Sequence, residues 1–168
     1  MSSIQNNIWD LIESLTANKV EFVVCGGVAC FLHGVDRATF DLDISISISS
    51  ENINKVIDTA KLLGLKPRIP EPIENLLDPV KRELWVKDKG ALVYTLIVPE
   101  SIIQLDIFLT YPKSFEELLK NAVIMHIKGT DVAVSSKDDL IYAKSQVKPP
   151  RKKDQDDIAE LKRIIDNE

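Results

Sequence analysis

The sequence predicts an α+β domain, a mixed β-sheet flanked by helices. Three observations carry that prediction. Strand-like and helix-like segments are interspersed without the regular strand–helix–strand alternation of a doubly wound sheet. The run "FDLDISISI" (40–48) alternates strictly between polar and apolar residues, the period of a half-buried strand. Two further apolar runs, "ALVYTLIV" (91–98) and "SIIQLDIFLT" (101–110), are separated only by Pro99 and Glu100, as in an antiparallel pair.

The remaining elements follow from local pattern. Ile4, Ile8, Leu11, Ile12 and Leu15 recur at helical spacing, which predicts an amphipathic helix over 4–18. "VEFVVC" (20–25) is a short apolar run ended by glycines and reads as a buried strand. "VACFLH" (28–33) stops at Gly34, the pattern of a short buried helix with a glycine beyond its end. Ser50 is placed to cap a helix through "ENINKVIDTAKLLG", closed by Gly64. Over 65–90 the pattern is mixed. Ile73, Leu76, Leu77, Val80 and Leu84 keep helical spacing, prolines interrupt it, and "ELWVKD" reads equally as strand. "SFEELLKNA" (114–122) is helical, and "VIMHIKGTDVAVS" reads as two strands turning at Gly129–Thr130. Ser136 caps "KDDLIYAKSQ", with Asp139 three residues on in the manner of a capping box. "KPPRKKD" is a loop, and Asp154 is the natural N-cap of the last helix, "QDDIAELKRIID".

A chain of 168 residues suits one domain over residues 1–168 with a proper core. The net charge of −5 argues against a broad basic surface coating nucleic acid. Cys25 and Cys30 are too few for a disulfide framework, and no other residues complete a zinc site, so both are expected as buried thiols. "MSSIQNNIWDLIESL" lacks the basic and apolar regions of a signal peptide, and no apolar run approaches the roughly 20 residues of a membrane span. A cytoplasmic protein with no membrane contact is expected.

The chemistry concentrates in "CGGVACFLHGVDRATFDLDI". Residues i and i+2 of a strand share a face, so Asp41 and Asp43 project together while Leu42, Ile44 and Ile46 point into a core. Two such carboxylates repel, and protonation or a bound cation relieves the repulsion. An all-oxygen set of this kind favours Mg2+ or Mn2+. Asp106 in "QLDIFL" shares a face with Gln104, and if its strand neighbours 40–48, three carboxylates converge. Gly26 and Gly27 stand between a strand and a helix, where bare backbone lets a phosphate approach. No P-loop and no Rossmann fingerprint is present. A lone D-x-D or Gly-Gly is usually only a polar face or a tight turn; the combination is far more specific, and is what nucleotidyl transfer requires.

On these residues the sequence resembles the DNA polymerase β-type nucleotidyltransferase superfamily, in which an apolar strand ends in Gly-Gly or Gly-Ser ahead of Asp-apolar-Asp. It is most similar to small stand-alone members, including those of abortive-infection and toxin–antitoxin pairs. The resemblance implies that Asp41, Asp43 and Asp106 bind Mg2+ and are catalytic, Asp106 helping to deprotonate an acceptor hydroxyl that attacks the α-phosphorus of an NTP. It implies nucleotide contacts at Gly26, Gly27, Lys144, Lys153 and Asp154. Arg37 either contacts phosphate or braces the loop before Asp41. Lys144 is read as reaching the triphosphate, with a surface lysine as the plain alternative; Asp154 is read first as a helix cap. Thr39 orders the loop, His33 is packed or hydrogen-bonded, and His126 is a strand residue without a role. Lys148, Arg151, Lys152 and Lys153 form a basic cluster that guides an acidic acceptor or is a solvated loop. The acceptor is expected to be tRNA, a protein side chain or a small hydroxylated molecule; the resemblance favours tRNA or protein and leaves room for an antitoxin partner. The rival readings are a catalytically silent nucleotide-binding module or partner subunit with the same fold, and an aminoglycoside-type enzyme with an acidic drug pocket.

Overall fold

The computed structural model describes residues 7–168. Among them, seven strands form one mixed sheet: β1 (Phe22–Cys25), β2 (Asp41–Ile46), β3 (Lys66–Pro67), β4 (Val93–Ile97), β5 (Gln104–Phe108), β6 (Val123–Ile127) and β7 (Thr130–Val134). Seven helices accompany it: α1 (Ile8–Ala17), α2 (Gly26–Leu32), α3 (Ser50–Leu63), α4 (Pro79–Lys89), α5 (Phe115–Asn121), α6 (Lys137–Ser145) and α7 (Lys152–Asp166). The spatial order is β3-β4-β5-β2-β1-β7-β6. This is the mixed α+β architecture that the sequence predicts.

The sheet is mixed because β2 lies antiparallel to β1 but parallel to β5, and β5 is antiparallel to β4. β1 is buried along its whole length, which is why "FVVC" carries no polar residue. β2 obeys its alternation. Leu42 and Ile44 are fully buried, while Asp41 and Asp43 keep partial exposure on the other face. One register row crosses four strands: Cys25 stands opposite Asp43, Asp43 opposite Asp106, and Asp106 opposite Thr95.

Several expected boundaries move, each for a local reason. The first four residues of the 4–18 helix include three outside the described range; within it, Asn7 caps α1 by accepting from the Trp9 N–H at 2.8 Å. Ser49, not Ser50, caps α3, its hydroxyl accepting from the Asn52 N–H at 3.1 Å. Gly64 does close α3, in the left-handed conformation. Across 65–90 the helical spacing is split at Asp78–Pro79. A 3-10 turn (Ile73–Leu77) precedes it, and Pro79 starts α4 under an Asp78 cap, so "ELWVKD" is helix rather than strand. Trp85 is the buried residue of α4 and stacks on Tyr94 with ring centroids 5.6 Å apart. The two hairpins form as expected: β4 with β5, and β6 with β7 around Gly129.

Only half of the Ser136 capping box is realised. The Ser136 hydroxyl accepts from the Asp139 N–H at 3.1 Å, but the Asp139 carboxylate turns away to Lys113 (2.7 Å) and Asn121 (3.1 Å). Asp154 is likewise not an N-cap. Arg151 occupies the cap position and α7 begins at Lys152, which leaves the Asp154 carboxylate inside the first turn and free to face α6.

Candidate active site

The Gly-Gly pair is not a linker ahead of α2 but its first two residues. Gly26 adopts φ +60, and a Cβ there would lie 2.0 Å from Asp43 Oδ2, so both backbone and space demand glycine. At Gly27 the backbone makes no such demand, but a Cβ would lie 3.1 Å from the Arg37 guanidinium carbon. The bare turn therefore admits an aspartate on one side and an arginine on the other.

Asp43 and Asp106 face each other across β2 and β5 with their carboxyl groups in hydrogen-bond reach. Burial, followed by the charge of Asp106 and its hydrogen bond, pushes the Asp43 carboxyl up to about 8, with Asp41 adding to the repulsion. Asp41 is also raised, first by burial and then by Asp106, against the pull of Lys153 and Arg68. Asp106 is buried and held from behind, accepting from Thr95 Oγ1 at 2.5 Å and from Gln104 Nε2 at 3.2 Å. Among the described residues no three His, Cys, Asp or Glu side chains close round a common point. The register therefore pairs Asp43 with Asp106 and sets Asp41 opposite Gln104, so the expected convergence of three carboxylates is realised as a pair, with Asp41 beside it on β2.

A cavity of about 810 Å³ opens in front of them. Its wall includes Gly26, Gly27, Asp41 and Asp43 but not Asp106. Five cationic residues border it, Arg37, Lys144, Lys148, Arg151 and Lys153, on a chain whose net charge is −5. Leu92, Phe108, Tyr111 and Tyr142 add apolar and aromatic surface to its lining. Tyr111 packs against Phe108 with ring centroids 4.2 Å apart, and the buried Cys25 thiol donates to the Val23 carbonyl at 3.6 Å; burial raises both groups, and Asp43 adds to each.

Every expected nucleotide-binding residue borders this cavity, but three are engaged in an ion-pair network. Lys144 Nζ stands 3.3 Å from Asp154 Oδ1 and 2.9 Å from Asp157 Oδ2. Arg37 pairs with Asp157, and Arg151 with Asp154 at 2.6 Å. Burial would raise Asp154, but the Arg151 hydrogen bond and the Lys144 charge outweigh it and hold the carboxyl below its usual value. Arg37 thus braces the loop before β2 and borders the cavity at once. Thr39 does order that loop, its hydroxyl 3.4 Å from both the N–H and the carbonyl of Asp41. His33 hydrogen-bonds the Ser135 carbonyl at 2.7 Å, and His126 lies exposed on β6 beside Asp131. Cys25 and Cys30 are buried free thiols.

Sequence reasoning missed Asp157, Thr95 and the aromatic wall. Asp157 had a signal, because three residues after Asp154 it shares a helix face. Thr95 had none, since only strand register sets it opposite Asp106.

No protein-family model and no curated protein matches the sequence. Solved structures do match. The lincomycin-bound lincosamide antibiotic adenylyltransferase LnuA is 19% identical with a TM-score of 0.62, over 94% of this chain and 95% of that one. ANT(2'')-Ia in complex with adenylyl-2''-tobramycin is 14% identical with a TM-score of 0.57, over 92% and 85%. An antigenic nucleotidyltransferase-like protein from Paracoccidioides brasiliensis is 17% identical with a TM-score of 0.56, over 95% and 75%. The chain has the nucleotidyltransferase fold. Among the described residues no helix is long and apolar enough to cross a membrane.

Proposed function

We propose that this protein is a nucleotidyltransferase that moves an NMP from an NTP to an acceptor hydroxyl. One observation carries the reading. Asp43 lines a cavity bordered by cationic residues although the chain is acidic, beside the Gly26–Gly27 turn, and is paired in register with Asp106 behind it. A rim of that sign favours a polyanion such as a triphosphate.

The donor set fits a divalent cation. Asp41 and Asp43 offer hard oxygen ligands to the cavity, and burial and like charge raise both, a repulsion that Mg2+ or Mn2+ would relieve. Asp41 and Asp43 would hold the ion, with Asp106 behind Asp43. When bound, it supplies charge neutralisation to the phosphates and the departing pyrophosphate. The chain's own part is positioning. The glycine turn lets the phosphate chain approach main chain, and Arg37, Lys144 and Lys153 offer it positive charge. Asp106, in contact with Asp43, is the group assigned to take the acceptor proton.

For the acceptor, the cavity and the likenesses favour a small hydroxylated molecule. LnuA and ANT(2'')-Ia are seen with lincomycin and adenylyl-2''-tobramycin. The acidic wall expected for a polycationic drug is not present among the described residues, since beyond Asp41, Asp43 and Asp154 the lining is cationic or uncharged, with Leu92, Phe108, Tyr111 and Tyr142 as apolar and aromatic members. A tRNA or protein acceptor, a toxin role with an antitoxin partner and a cytoplasmic location are the finer readings that the sequence resemblance offers. Incubation with labelled NTPs, Mg2+ and small alcohols, tRNA or protein in separate arms tests them, with Asp43→Asn as control. Label transfer unaffected by that substitution defeats the enzymatic reading.

A second reading has its own observation. Asp106 is off the cavity wall, and Lys144 and Arg37 are paired with aspartates, as in a nucleotide-binding module without turnover. Tight NTP binding by calorimetry without pyrophosphate release across the same arms would favour it.

A further inference from the structure

We infer that Asp157 is a positioning residue for the phosphate chain of the nucleotide, fixing Arg37 and Lys144 at the cavity from behind; the inference rests on the nucleotide-binding reading above. Asp157 lies on α7, is 4% exposed and is not part of the cavity wall. A single oxygen, Oδ2, takes both Arg37 Nη1 and Lys144 Nζ. One carboxylate thus joins the loop before β2 to α6, and the two cations it joins both border the cavity.

The bond uses only part of each donor set. A guanidinium has five N–H groups and an ammonium three, so both cations keep donors to spare. Arg37 is fixed from two sides, because its guanidinium also lies against Gly27, where a methyl would come to 3.1 Å. Gly27 has no positive φ, so the backbone does not explain the missing side chain; the close guanidinium does.

Asp154 does a different job. It pairs Lys144 with Arg151, whose side chain is half exposed, and makes no contact with Arg37. Asp157 is therefore the carboxylate that joins the glycine turn to the α6 lysine.

The test compares phosphate-rich and phosphate-poor probes. Calorimetry of inorganic tripolyphosphate and of AMP, each with Mg2+, is run on the wild type, Asp157→Asn and Asp157→Glu. Asp157→Asn should weaken tripolyphosphate about tenfold and AMP less than about twofold, and Asp157→Glu should recover part of the loss. Gly27→Ala is the second variant, since it shifts the same guanidinium from the Gly27 side while leaving Asp157, Lys144 and their ion pair unaltered. It should weaken tripolyphosphate while leaving the melting temperature unchanged or raised, as alanine suits a helical position better than glycine. In the double variant the losses should fall short of additive, because both act through Arg37. Equal weakening of both probes with a lowered melting temperature would show a purely structural brace and overturn the inference. So would tighter tripolyphosphate binding by Asp157→Asn, which would make the aspartate a competitor of phosphate. A wild type that binds neither probe would remove the nucleotide reading itself.

Discussion

Two groups of aspartates stand beside the cavity, and they end in opposite electrostatic states. At the cavity wall, Asp43 meets Asp106 behind it, neither forms an ion pair with a lysine or arginine among the described residues, and Asp43 is pushed up to about 8. At its side, Asp154 and Asp157 meet Lys144, Arg37 and Arg151, and Asp154 is held below its ordinary value. Asp106, Asp154 and Asp157 are all buried, with only Asp43 partly exposed, so burial does not explain the difference. The neighbours do. A charge cluster compensated by its own chain is a structural joint, whereas one left repelling is poised for something the chain does not supply.

The largest test of that contrast is neutralisation of one member on each side. Asp43→Asn should lower nucleotidyl transfer by at least about 1000-fold, measured as label transfer or pyrophosphate release. Because it removes repulsion, the melting temperature should not fall. A clear loss of stability would erase the distinction between the two groups.

The pH dependence sharpens it next. Asp43 has a folded value above its unfolded one of 3.8, so the native state binds the extra proton between those values. Its stability contribution is present at low pH and lost as pH rises toward and through about 8, with a slope of at most ~1.4 kcal/mol per pH unit. Without divalent cation, denaturation midpoints should fall between pH 6 and pH 8.5, and saturating Mg2+ should flatten that fall. A midpoint that rises over this range would contradict the assignment.

Asp154→Asn should act the other way. It leaves Lys144 and Arg151 short of a buried partner and should cost about 2 kcal/mol in urea unfolding. The lowered Asp154 value makes its contribution present above the ordinary carboxylate range and lost on acidification, the reverse of Asp43.

The smallest effect belongs to the surface. Lys152 and Asp156 pair at 3.2 Å with both side chains in solvent, and Lys152→Ala should leave the urea midpoint unchanged. A measurable loss there would mean that exposure does not separate structural from incidental charge on α7.

Much of this was legible beforehand where the signal was local. The alternation of 40–48, the Gly64 and Gly129 turns and the two hairpins rest on neighbours a few residues apart. The same local rules misplaced the α3 cap by one residue and read Asp154 as a cap. Adjacent serines offer the same chemistry, and a carboxylate that caps nothing reads like one that does until its partner on α6 is in view. In 65–90 the prolines marked a break without revealing that Pro79 opens a helix.

By itself the sequence determined which residue types carry the chemistry and which faces they share, because side-chain periodicity is a property of the strand alone. Only the tertiary structure decided that β2 lies parallel to β5, that Asp43 therefore meets Asp106, and that Asp157 reaches across 120 residues to Arg37. Register and long-range charge pairing are set by how strands and helices pack, and no local pattern encodes the distance between two carboxylates on different strands.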